Sequence, residues 1–302
     1  MQYGLLKTVS LFAGTIRSLH ATDPWRRDVA ARTIPAIDNE LARLHALERA
    51  YDPDTIPLLE QLHLRPDAGC LEVAGGAGSI ARWMRRNTRG NVAALDIDVA
   101  HLRDMPGIEV IETDIQNWEA PRQFDLAHCR FLLDLLSSPA ETVFRLAEAA
   151  SPGGYLVLEE FDDLTASLAL GPEEHVARHE QVLAAKQASF AAAGHKNDVG
   201  RRLPAMVKAT HAFRVEASGH VKVRQGGDPG TESSRRYVEN HRAALLATGS
   251  VDEPCLDAYV DQLQNPAYVY FAPIVVSVVA KYPPSRAAGA FPFARAATEQ
   301  PR

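Results

Sequence analysis

The sequence predicts an α/β protein built on a parallel sheet with helices on both faces, and three observations carry that prediction. Strand-like runs at 69–73, 92–96, 108–112, 124–128 and 155–159 alternate with helix-like stretches near 79–87, 99–104 and 137–150. The connections between them are short, as in βαβ units. A glycine-rich loop, Ala74-Gly75-Gly76-Ala77-Gly78, joins the first of these strands to the first of these helices.

Ahead of the alternation, the first ~65 residues read as helices, which form an N-terminal helical cap over 1–66. One helix is expected near 4–19, a second near 25–50 and a short third from 55 to 63. In the second, Ile37, Leu41, Leu44 and Leu47 form an apolar stripe. Asp52-Pro53-Asp54-Thr55 predicts a break before the third helix, with Asp54 or Thr55 as its N-cap. The segment at 4–19 has Leu5, Leu6, Val9, Phe12 and Ile16 at helical spacing, interrupted by polar residues. It is therefore read as an amphipathic helix and not as a signal peptide. Its stripe is expected to cover the site or to form a homodimer contact.

The main domain is expected over 67–282. It includes a helical lid insertion at 170–200, a strand over 215–224, a helix over 231–247 and a final strand over 269–281. Pro273 inside that last run predicts a bulge or an edge. Residues 283–302 are rich in Pro, Ala, Gly and Arg and read as a disordered tail.

Composition narrows the function. The 302 residues are 46% hydrophobic and 23% charged, values ordinary for a globular chain. A net charge of −6 argues against a nucleic-acid partner, which selects for a basic stripe. No run of about 18 apolar residues occurs, so no membrane span is expected. Cys70, Cys129 and Cys255 are too scattered for a disulfide framework or a zinc site, and no metal is expected. The cytoplasm is the default location.

Five features fall in the order a nucleotide-type site needs. The loop itself is one, because Gly75, Gly76 and Gly78 allow a ligand to approach the backbone. Glu72 is an acid at the end of the strand feeding that loop, placed to meet an ammonium group. Asp96, followed by Ile97, ends the second strand about twenty residues on, where a carboxylate can accept from both ribose hydroxyls. Asp114 and Ile115 follow the third strand, positioned for an adenine amino group and ring. Ser151-Pro152-Gly153-Gly154 turns into the fifth strand.

Each feature has a plainer reading. Asp96 and Asp114 are also good helix caps, and Pro-Gly-Gly is also an ordinary turn. Gly76-Ala77-Gly78-Ser79-Ile80-Ala81 satisfies the dinucleotide pattern G-x-G-x-x-A, so a nicotinamide-dependent oxidoreductase is the main rival. Glu72 opposes that rival, since its charge would repel a pyrophosphate but suits a cation.

The ordered set Glu72–Ala81, Asp96, Asp114, FDLAHCR (124–130) and SPGGYLVLEE (151–160) resembles the motifs of class I methyltransferases that use S-adenosyl-methionine (SAM). LEVAGGAGSIARWM, ALDIDVAHL and GRRLPAM resemble, more narrowly, actinomycete small-molecule methyltransferases. The resemblance spans residues 35–282. It implies a Rossmann-like, seven-stranded, doubly wound sheet whose last strand is antiparallel. It also implies SAM as cofactor, bound by Glu72, Ala74, Gly75, Gly76, Gly78, Asp96, Ile97, Asp114 and Ile115, with the Cys129 backbone lining the methionine portion. The chain departs from the pattern at Ala74, where many members carry glycine; the extra methyl is harmless there if φ is negative.

The acceptor implied is a small hydrophobic molecule, probed by O-, N- or C-methylation alike. His175 and His179, one helical turn apart in the lid, are the candidate catalytic bases, although such spacing also suits a plain helix face. Arg130 either follows the methionine portion or pairs with an acid on a neighbouring helix. Glu159, Glu160, Asp162 and Asp163 are expected mostly as solvated loop charges. Tyr268, Tyr270 and Phe271 either wall a pocket or pack a strand, and Trp83 and Met84 are expected in the core. A SAM-binding protein that steers a cyclisation without methyl transfer is the remaining alternative.

Overall fold

The computed structural model describes residues 37–165, 168–212 and 214–284. The helix predicted near 4–19, the start of the one near 25–50 and the tail beyond 284 lie outside the described residues.

Seven strands form one sheet in the order β3-β2-β1-β4-β5-β10-β7. They are β1 (Cys70–Val73), β2 (Val92–Asp96), β3 (Glu109–Glu112), β4 (Phe124–Arg130), β5 (Ala150–Asp162), β7 (Arg214–His220) and β10 (Ile274–Lys281). The first five run parallel, and β10 inserts antiparallel between β5 and β7, as the resemblance implied. The strand order reverses at β1 and β4, the switch point at which doubly wound sheets bind ligands.

Both faces of the sheet are covered, which explains why every residue of β1 is buried. Helices α1 (Ile37–Glu60) and α2 (Ser79–Asn87) cover one face, where Leu59, Ile80, Trp83 and Met84 meet Cys70, Leu126 and Val157. Helices α3 (Pro139–Ala149) and α5 (Val199–Lys208) cover the other, where Val143, Leu146, Leu203 and Val207 meet Leu71, Val73, Cys129 and Leu158.

A second core lies beside the sheet. Strands β6 (Leu168–Leu170), β9 (Val269–Phe271) and β8 (Val223–Gln225) make a small antiparallel sheet with β9 central. Against it pack α4 (Glu173–Ala192), α6 (Pro229–Asn240), α7 (Arg242–Ala247) and α8 (Glu253–Gln262), with Val182, Leu245, Leu256, Tyr259 and Tyr268 buried between them.

Several boundaries differ from expectation. No break occurs at Asp52-Pro53: α1 runs on through Pro53 and Pro57 to Glu60. The two prolines lie four residues apart on one helix face, beside an open groove of about 710 Å³ that Arg49, Ile56 and Pro229 also line. Their missing N–H groups leave carbonyls unpaired, a cost of about 3 kcal/mol each inside a helix. The opposite face, with Tyr51, Thr55 and Leu59 buried, provides the compensating contacts. Thr55 is accordingly not a cap. The stretch 99–104 makes turns and no helix, ending at Pro106. The run 269–281 is two strands in two different sheets, because Pro273 has no N–H to pair and the chain changes sheet there. The run 215–224 divides likewise into β7 and β8, and 231–247 divides into α6 and α7 at His241. Ser151–Gly154 enters β5 as a bulge against β4, where Gly153 takes φ +78°.

Candidate active site

The glycine loop leaves β1 at the switch point and is tied to the end of β2. The Ala74 and Gly75 N–H groups both donate to the Leu95 carbonyl, at 2.9 and 3.4 Å, and Gly78 N–H donates to Gly75 at 2.7 Å. Gly76 and Gly78 take φ of +54° and +88°, conformations that favour glycine. At Gly78 a Cβ would also lie 2.8 Å from Met105 Sδ, and at Gly75 one would lie 3.1 Å from Leu102. Ala74 takes φ +58°, so the condition that would have made its methyl harmless is not met. A left-handed alanine costs about 1–2 kcal/mol, and the two bonds to Leu95 help to hold it there. From above, α1 closes on the loop: Leu44 abuts Gly76, and Glu48 accepts from the Ser79 N–H at 2.9 Å, at the start of α2.

Asp96 ends β2 with both carboxylate oxygens engaged by backbone, Oδ2 by Gly76 N–H at 3.1 Å and Oδ1 by Asp98 N–H at 3.2 Å. Burial raises its pKa against those bonds. The acid therefore braces the glycine loop. Ile97 beside it is 39% exposed, apolar surface suited to a planar ring. Asp114 caps the short 3-10 turn Ile115–Asn117 through Gln116 N–H at 2.8 Å, and Ile115 is turned into the core below the sheet end. Cys129 sits opposite Val73 with its side chain in the core, where burial raises the thiol pKa; only its backbone is placed to line a ligand.

Glu72 is buried in a polar network that sequence reasoning did not anticipate. Register places it opposite His128 on β4, and the side chains meet at 2.6 Å (Oε2 to Nδ1). The other ring nitrogen lies 3.4 Å from Glu159 on β5. Glu159 also accepts from Thr55 at 2.5 Å and from Ser277 at 2.8 Å, and Arg130 donates to both Thr55 and Asp52 at 2.8 Å. Burial alone would lower the His128 pKa, but the Glu72 charge and bonds to both carboxylates raise it to about 9. Burial would likewise raise Glu159, but the bonds and charge of His128 and the Thr55 bond bring it down to about 2. Burial keeps Glu72 raised. The network joins β1, β4, β5, β10 and α1, and it resolves Arg130 in favour of the helix partner.

Because His128 occupies the Glu72 carboxylate, repulsion of a pyrophosphate is not what separates the two cofactor classes here. Alternation along FDLAHCR places Leu126, His128 and Arg130 on one face; that they face Glu72 follows only once β4 is known to neighbour β1.

The four acids at the end of β5, Glu159, Glu160, Asp162 and Asp163, are buried, and none is a solvated loop charge. Asp162 holds Arg201 through both oxygens, at 3.0 and 2.9 Å. Asp163 holds Lys186 at 3.4 Å. Glu160 accepts from Leu133 N–H at 2.8 Å and from its neighbour Phe161 N–H. Burial and the Asp163 charge push Asp134, just past β4, up to about 7. Phe131 and Phe161 stack at 4.1 Å beside this cluster, and Tyr51 of α1 meets both edge-on at 5.0 and 5.5 Å.

His175 and His179 do not join this cluster. His179 is buried in the second core, where its Nδ1 meets Tyr268 Oη at 2.6 Å and Tyr259 Oη at 3.1 Å. Those bonds give His179 a packing role. Tyr268 and Tyr270 belong to the same core. Among the described residues no helix is long and apolar enough to cross a membrane.

Residues 43–218 match the family model described as "Methyltransferase domain". The chain belongs to that family, and its sheet order and site make it a class I, SAM-dependent methyltransferase. Among solved structures it is similar to a candidate methyltransferase from Bacillus halodurans, with 16% identity and a TM-score of 0.51 over 76% of this chain and 99% of that one. It is also similar to the YcgJ protein of Bacillus subtilis, with 13% identity and a TM-score of 0.50 over 75% of this chain and 97% of that one. Both likenesses are of fold. No curated protein matches the chain.

Proposed function

We propose that this chain transfers the methyl group of SAM to a small, largely apolar metabolite of secondary metabolism. The observation that carries this reading is the switch-point cradle: a strand-to-helix loop with Gly76 and Gly78 at positive φ, braced by Asp96, beside the exposed Ile97. The residues fit the cofactor. Gly75, Gly76 and Gly78 admit the methionine portion to the backbone, with Ala74 and the Cys129 backbone beside it. Asp96 would accept from the ribose, Ile97 would lie against the adenine, and Asp114 would accept from its amino group, with Ile115 packed in the core beneath. Glu72, through His128, sets the spacing of β1 and β4 beneath.

SAM supplies an activated methyl on a cationic sulfur. The protein's part is to align acceptor and methyl and to exclude water. For an acceptor that must lose a proton, Asp134 is the candidate base, since a carboxyl held near 7 can accept a proton at neutral pH. The aromatic trio Tyr51, Phe131 and Phe161 gives an apolar wall at the same end of the sheet. A homodimer through the N-terminal segment belongs to this reading; sedimentation of a chain lacking residues 1–19 tests it, an unchanged state counting against it.

Calorimetric titration with SAM, its demethylated product and NAD tests the cofactor. Saturable binding of the first two and none of NAD is expected; binding of NAD alone overturns the proposal. Release of demethylated cofactor from labelled SAM, in the presence of candidate acceptors, separates methyl transfer from a cyclisation that leaves SAM intact.

A further inference from the structure

We propose that Arg224 binds an acidic group, a carboxylate or a phosphate, carried by the methyl acceptor. The word acceptor rests on the reading above; the anion site rests on the side chain itself. Arg224 lies at the centre of β8 and is 5% exposed, yet its Nη2 has no hydrogen-bond partner. Among the described residues no carboxylate forms an ion pair with it. The cations and acids nearby are otherwise accounted for: Lys186 is on Asp163, and Asp228 accepts from the Gln225 and Thr231 N–H groups.

A buried guanidinium without a counter-ion is expensive, because it has given up water and received no negative charge in return. Two further contacts define the seat. The guanidinium lies over the Tyr51 ring, 4.9 Å from its centroid. It also abuts the first turn of α6 at Gly230, where a Cβ would stand 2.4 Å from Arg224 Nε. The start of α6 is the positive end of its dipole, so it adds to the potential and does not neutralise it. Tyr51 and Gly230 pack against the guanidinium and leave its Nη2 without a protein partner, a donor that a planar or tetrahedral anion can take.

The position suits an acceptor. Tyr51 meets Phe131 and Phe161 at 5.0 and 5.5 Å, and these two rings stand at the carboxyl ends of β4 and β5. A ligand with its acidic end on Arg224 and its apolar body along the three rings would extend toward the switch point, where the cofactor loop begins.

The test is calorimetry on the full chain with benzoate, phenyl phosphate and neutral benzamide. Saturable binding of at least one anion is expected, with benzamide at least tenfold weaker; the stronger anion identifies the acid class. Arg224→Met should weaken that anion at least tenfold, while Arg202→Met, at an exposed arginine, stays within twofold. Absence of saturable anion binding, or equal binding by Arg224→Met, overturns the proposal. If Arg224→Met does not fold, Arg224→Lys decides: it keeps the charge without the fork and should bind at least fivefold more weakly, and an unchanged affinity overturns the proposal. Demethylated SAM titrated into the same samples keeps the two readings apart. Its failure to bind wild-type protein counts against the cofactor reading and leaves the anion result to be judged on its own.

Discussion

Glu72 and His128 face one another across β1 and β4 with 2.6 Å between carboxylate and imidazole, in a layer closed to solvent. Two strands that alone would be joined by backbone bonds are thus also joined by charge. Removing one member strands the other. His128→Ala is expected to cost about 3–5 kcal/mol of unfolding free energy in urea denaturation, the range for breaking a buried pair. Adding Glu72→Gln to it should cost less than the sum of the two single changes, because the second change removes the orphaned charge.

The same network sets a pH dependence. His128 is raised to about 9 from 6.5, so its contribution is complete below pH 6.5 and is lost as pH climbs through about 9. Glu159 is lowered to about 2 from 4.5, so its contribution is complete above pH 4.5 and is lost as pH falls through about 2. Glu72, raised by burial, contributes stability that is complete below pH 4.5 and is lost as pH rises above it. The contributions of His128 and Glu159 are both complete between pH 4.5 and 6.5, so the melting temperature should fall from that range toward pH 9. In His128→Ala the alkaline limb should flatten; an unchanged limb would remove His128 from the account.

Ala74→Gly should stabilise the protein by about 0.5–1 kcal/mol. Relief of a left-handed alanine is worth about 1–2 kcal/mol, and the extra freedom of glycine in the unfolded chain returns part of it. Thermal melts check this directly. A lower midpoint would mean that the backbone at residue 74 is not strained.

Asp96→Ala removes an acceptor expected at the ribose and a brace from Gly76. The affinity for SAM should fall by about 1–3 kcal/mol, read by calorimetry. Unchanged affinity would leave Asp96 with the brace alone.

Periodicity and local chemistry made much of this protein legible in one dimension. Strand–helix alternation, the glycines and the acids at the ends of β1 and β2 and after β3 mark a switch-point cradle, because each is a property of a few consecutive residues. Helices such as α2 and α4 were legible for the same reason. Continuity through Pro53 was not: it depends on Thr55 and Leu59 finding partners on the sheet, and proline chemistry taken locally says stop. Nor was the division of 269–281, since Pro273 permits either a bulge or a change of sheet.

Glu72 sharpens the distinction. Its place before the glycines is written in the chain, and so is the cradle it precedes. What the carboxylate touches was settled by the neighbouring of β1 and β4, by Glu159 reaching across from β5, and by α1 covering both. Arg224 is the same case, an ordinary cation in the sequence that burial with an unpaired Nη2 turns into a binding group. Which residue types stand at a strand end is a local matter of spacing; whether their charges meet water, a partner or nothing depends on segments far apart in the chain, 56 residues for Glu72 and His128 and 104 for Thr55 and Glu159.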